Sequence, residues 1–240
     1  LGGTGSLFAN EENIGHNSGI AAGIGEFNQS GGEHTVRRNL YIGAYVTSAG
    51  SYTLSDGSLT VGAEGFSGRT YVGYSGTGTF TQTGGVHTMS SRLVISSGTQ
   101  AAGRYDLVDG TVSAPNVDVG NGGTGTFDQS GGIHNVASTI FIAGYAYSSA
   151  TYHLSGGRLN CGTIFVGSAG SGTFNQSGGE NVMAGNLHVS SAQNSSGTYN
   201  LSGGSLSAVR THIGSVGNGI FMNSGGTHSL TDTLFIASTP

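Results

Sequence analysis

The sequence predicts an all-β chain wound as a parallel β-solenoid, or β-helix, of about ten triangular turns of 22 to 25 residues each. Three observations predict it. First, a ring-headed motif, Phe174-Asn175-Gln176-Ser177-Gly178-Gly179 in its clearest copy, returns at Phe27, Phe80, Phe127 and Phe221, at intervals of 53, 47, 47 and 47 residues. Second, a weaker copy headed by Tyr52, Tyr105, Tyr152 and Tyr199 follows each Phe by 25 residues, dividing the 47-residue unit into halves of 25 and 22. Such halves suit single solenoid turns and are too short to fold alone. Third, apolar and polar residues alternate within each half in three bursts, shown by Phe127 and Gln129, His134 and Val136, then Ile140 and Ile142. A period of two means strands.

Residues 1–26 read as a divergent first turn or N-terminal cap, and residues 27–240 as the repeats, in units beginning at Phe27, Phe80, Phe127, Phe174 and Phe221. Gly131-Gly132 marks the corner after the first strand and Ala137-Ser138-Thr139 the corner after the second. Glycine suits tight corners that need positive φ, and Asp56 and Asp109 take the first glycine position, which Asp tolerates better than most residues. A loop such as Gly144–Ser149 closes the turn. The six extra residues of the first unit fall near Gly62–Ser67, at a corner where an insertion bulges outward without breaking the stack. Nine recognisable turns at about 4.8 Å each make a rod on the order of 45 Å long.

Equivalent positions form rows. One inward row runs Phe27, Tyr52, Phe80, Tyr105, Phe127, Tyr152, Phe174, Tyr199, Phe221; another runs Val36, Val61, Met89, Ala114, Val136, Cys161, Met183, Ala208, Leu230. Cys161 is thus a small core residue and an inert thiol. An α-solenoid is excluded because 22 turn-rich residues leave no room for two helices and glycine weakens them. A sandwich or barrel would not require the same side chain at the same place in every half-unit.

Composition narrows the function classes. The chain has 47 Gly, 2 Pro and 8 % charged residues, which fits neither collagen nor a disordered tract. Seven Arg, no Lys and twelve acidic residues leave a formal charge of -5, so no nucleic-acid partner is expected. No apolar run approaches the roughly 18 residues of a membrane span, and no membrane insertion is expected. With one cysteine, neither an intrachain disulfide nor a Cys-rich zinc site can form.

The run Gly170-Ser171-Gly172-Thr173-Phe174-Asn175-Gln176-Ser177-Gly178-Gly179, followed by Leu187-His188-Val189, resembles the glycine-rich repeat of autotransporter passengers and PEP-CTERM-associated surface proteins. The likeness covers about residues 27 to 240. It implies a secreted or cell-surface parallel β-helix with a structural or adhesive role.

Three sets of residues are candidates for function. The His set, His34, His87, His134 and His228, recurs seven residues after each Phe, with Asn181 breaking the series. The same position carries Leu in most Tyr half-units, so it points inward. Gln29, Gln82 and Gln129 alternate with Leu in the same way. Internal polar pairs, Gln29 with His34, Gln82 with His87 and Gln129 with His134, are expected because buried polar groups need partners. Equivalent His residues two turns apart would be roughly 9 to 10 Å from one another, too far to share a metal. No metal or cofactor is expected.

The second set is an outward row in which Asp106, Asp128 and His153 follow one another. Paired carboxylates about 5 Å apart are the chemistry of polysaccharide cleavage, but a flat strand offers no cleft to shift their pKa values. The third set breaks the alternation. Between two inward residues of the third strand the outward row runs Tyr41, Tyr71, Val94, Asp118, Phe141, Phe165, His188, His212, Phe235. An apolar stripe along a rod marks a contact surface, and Tyr41, Tyr71, Phe141, Phe165, His188, His212 and Phe235 are its interaction residues.

The chain also stops in mid-turn at Leu234-Phe235-Ile236-Ala237-Ser238-Thr239-Pro240, which predicts either further sequence or end-to-end stacking of copies. The expectation is a secreted, non-enzymatic structural protein, a subunit of an extracellular filament, sheath or surface layer, whose partner is itself. The alternative is a cell-surface adhesin or glycan-binding stalk with an extracellular polysaccharide as partner. A polysaccharide-cleaving enzyme is a distant third.

Overall fold

The computed structural model describes residues 1–16 and 22–237 and shows a parallel β-solenoid without helix. Residues 17–21, which belong to the expected first turn, and 238–240 lie outside the described residues. Nine ring-headed turns follow one another, each with three sides. In the turn of Phe127, Thr124–Gln129 forms the first side, and Ile133–Ile142 forms the second and third sides with a kink between Val136 and Thr139. Gly2–Ala9 and Glu12–Ile14 precede them, pairing with the second and third sides of the Phe27 turn.

Every ring-headed strand pairs in parallel with its equivalent in the next turn, so the first row stacks Phe27 on Tyr52, Tyr52 on Phe80 and so on to Phe221. Ring centroids along it are 4.6 to 5.2 Å apart. The rings from Tyr52 to Tyr199 are wholly buried. Full burial of one such side chain stabilises by about 2 to 3 kcal/mol, and in-register stacking repeats that gain at every turn. The second row lies buried from Val36 to Ala208, and the third sides add apolar pairs such as Leu40 and Ile42 or Ile140 and Ile142.

The corner glycine has a structural reason. Gly132 adopts φ +60°, and a Cβ placed on it would lie 2.7 Å from the carbonyl oxygen of Gly110 in the turn below. Both the left-handed backbone and the close approach demand glycine. The insertion of the first unit sits at the corner between Val61 and Arg69. It folds back rather than hanging free: the Phe66 ring lies under the Arg37 guanidinium at 4.3 Å, and Glu64 pairs with Arg37 at 3.0 Å.

Candidate functional site

The predicted internal pairs are buried, but Gln and His do not bond to each other as expected. The tyrosine hydroxyl of the next turn stands between them. Tyr152 donates to Gln129 Oε1 at 2.7 Å, and His134 Nδ1 lies 2.9 Å from the same hydroxyl. The unit repeats as Gln29, His34, Tyr52 and as Gln82, His87, Tyr105. A fourth copy has Asn181 in place of His, donating to Tyr199, which in turn donates to Gln176. The physical reason is stagger: the turns are 4.6 to 5.2 Å apart, and only a long side chain from the neighbouring turn reaches both groups.

Each Gln amide nitrogen donates to at least two backbone carbonyls, for example Gln82 to Gly85 at 3.1 Å and to Thr111 at 3.0 Å. Its oxygen must therefore accept, the tyrosine must donate to it, and the His must carry its proton on Nδ1. His87 Nε2 then accepts from the Thr70 hydroxyl at 3.0 Å. His134 has no such threonine, since Val117 occupies that place, and its Nε2 is unpartnered. Burial lowers the pKa of His87 and of His134 to about 3, so both rings are neutral. These triads hold the fold together. The tyrosines that complete them were missed in the sequence, although Tyr heads those half-units that follow a Gln and a His or Asn.

The outward row on the first side brings Asp106 and Asp128 into register. Arg104, from the same strand as Asp106, pairs with both, at 2.7 Å in each case. Beyond it Asn175 contacts His153 at 3.3 Å, and Asn200 donates to Asn175 at 2.7 Å. The row is a ladder of ion pairs and amides. Similar links between turns join Arg158 to Glu180 and Arg210 to Asp232, both at 2.6 Å.

On the third side the structure places all seven stripe residues in one register row, but as two ladders. Tyr41 and Tyr71 stack 5.0 Å apart, with Tyr74 from the following loop packed edge-on against both. Phe141, Phe165, His188, His212 and Phe235 form a five-ring ladder with spacings of 4.6 to 5.2 Å. Their faces are used against each other, so the rings are half-buried and show solvent their edges. Burial lowers the pKa of His188 to about 4, and that of His212 in the same direction. Tyr71 is almost covered, whereas Tyr45, Tyr145 and Tyr147 on the flanking loops are exposed.

No family model, curated protein or solved structure matches this chain. Its chemistry is therefore read from its own surfaces. Between the ladders Val94 and Asp118 interrupt the row. Asp118 is buried and held by Arg92 at 2.7 Å and Asn121 at 3.0 Å; burial raises its pKa, while those partners oppose the rise. An apolar groove of about 470 Å³ runs along the corner between second and third sides, past Ala114, Ala137 and Cys161. Burial pushes the Cys161 thiol pKa up, which makes it a poor nucleophile. Among the described residues no three His, Cys, Asp or Glu side chains converge on a point where a metal ion would bind.

Proposed function

We propose that the chain is a structural rod, a unit of an extracellular filament, sheath or surface layer, which contacts its own copies through the ring ladders of the third side. The five-ring ladder from Phe141 to Phe235 carries this reading. It is a regular row of three Phe and two His rings along one side of the rod, and two such rows bury one another when rods lie side by side. Axial contacts are the second part of the proposal. The strands at both ends of the described stack, Glu12–Ile14 and Leu234–Ile236 among them, have a partner on one side only. Those edges accept either a further turn or another copy. Extracellular placement rests on the resemblance of the repeat to those of surface proteins. A non-enzymatic role agrees with Arg104 holding both carboxylates of the only paired set singled out in the sequence.

Sedimentation velocity of the chain and of the Phe141→Ser/Phe165→Ser variant tests this. The expected result is concentration-dependent association that the variant loses while keeping its β-sheet circular dichroism. A monomeric parent at every concentration would overturn lateral assembly. A second reading, a glycan-binding stalk, is favoured by the exposed tyrosines Tyr45, Tyr145 and Tyr147 beside the same row.

A further inference from the structure

The break in the outer row has a shape and a chemistry of its own. From Tyr71 to Phe141 the register passes through Val94 and Asp118, neither of which fills the space of a ring. One step earlier, Tyr74 fills the place between loop and strand by packing on Tyr41 and Tyr71 at 5.0 and 4.9 Å. At the break Tyr145, from the loop after Phe141, borders a hollow of about 250 Å³ instead. This lies just below the usual ~300–1,000 Å³ of small-molecule pockets, which suits one sugar-sized ring.

Its lining is mainly polar: Val94 and Tyr71 border it but are almost covered, and the exposed Tyr145 gives it one aromatic wall. Ser97 and Asn121 add a hydroxyl and an amide. Arg69 and Arg92, in register on adjacent turns, stand at its edge. Asp118 binds Arg92 and Asn121 and so fixes both in place. Arg69 reaches only the Tyr71 hydroxyl, at 3.1 Å, and has no ion pair among the described residues. Two guanidinium groups against one carboxylate leave one net positive charge here, on a chain whose formal charge is -5.

We infer that this hollow binds one acidic saccharide unit, a hexuronate of a polysaccharide, with Arg69 taking its carboxylate and Tyr145 flanking its ring. A sugar ring has an apolar C–H face and a rim of hydroxyls, matching the exposed Tyr145 ring beside Ser97 and Asn121. A bare inorganic anion would leave the Tyr145 ring unused. Arginine suits the carboxylate because its planar fork donates two parallel hydrogen bonds. The site does not depend on assembly of the rods, and the two proposals fail separately.

Calorimetric titration of the whole chain with a galacturonate trimer tests the inference, beside an uncharged galactose trimer and a hexaglutamate peptide. The expected result is one site per chain for the galacturonate trimer, with much weaker binding of the other two. Arg69→Gln should weaken it about tenfold or more, the loss of one charge-assisted contact. Val94→Phe should fill the hollow with a ring stacked on Tyr71 and abolish binding, with the melting temperature kept. Absence of binding at millimolar trimer would overturn the proposal, as would equal binding of the neutral sugar or peptide, or unchanged binding by either variant. Should Val94→Phe fail to fold, Arg69→Gln, whose side chain lies on the surface, decides alone.

Discussion

The chain carries two ring rows with the same spacing and opposite fates. The inner row, Phe27 to Phe221, is unbroken over nine turns, and each of its tyrosines is tied to a Gln and a His or Asn of the turn before. The outer row, Tyr41 to Phe235, is half-exposed and loses its rings at Val94 and Asp118. Stacking at this spacing is therefore a property of the parallel register, whereas burial decides what a break costs. Inside, a missing ring leaves a cavity; outside, it leaves a place for something else.

Acid should weaken both rows and the inner one more, since burial lowers the pKa of His87 and His134 to about 3 but that of His188 only to about 4. His87 and His134 titrate near pH 6.5 in the unfolded chain and near 3 when folded, so the unfolded state binds protons that the folded state refuses. Their contribution is complete above about pH 6.5 and is lost as pH falls towards 3, on the order of 4 kcal/mol for each. Denaturant midpoints measured from pH 7 to pH 4 should fall steadily. A flat profile would refute the neutral, buried histidines. Next in size is ring deletion. Phe127→Ala should cost about 3 to 5 kcal/mol, and the half-buried Phe165→Ala, which loses two aromatic pairs, about 1 to 3 kcal/mol. Equal losses in urea melts would erase the distinction between the rows.

How much of this was legible in the sequence follows from where each residue finds its partner. The three sides, the rows and the corner insertion could be read because each half-unit repeats one pattern, and parallel register turns repetition into contact. The Gln and His were correctly placed inside. Their true partner was not foreseen, since a hydroxyl reaching across from the next turn depends on side-chain length and stagger, which alignment does not carry. Likewise Val94 and Asp118 were visible as exceptions in the row. That they open a hollow edged by Arg69 and Arg92 depends on how the Tyr145 loop folds back.

Two smaller experiments sharpen the inner row. Tyr152→Phe leaves Gln129 and His134 short of a partner and should cost about 1 to 3 kcal/mol. Adding Gln129→Leu and His134→Leu, the residues that Tyr half-units carry at those positions, should restore most of it. Failure of the triple variant to recover would mean the triad does more than satisfy itself. The smallest effect concerns the corner after the third strand. Gly120 and Gly167 take positive φ there, while Ala143 does so at φ 55°. Ala143→Gly should relieve that strain and stabilise by roughly 0.5 to 1 kcal/mol, seen as a small rise in melting temperature.

The most direct test of the central proposal is electron microscopy of the chain across a dilution series, with the rods counted as single or joined. Self-assembly through the outer ladder predicts rods paired side by side or in filaments, dispersing when Phe141 and Phe165 are replaced by Ser. Separate short rods at every concentration would contradict a structural polymer and leave the saccharide site as the function to pursue.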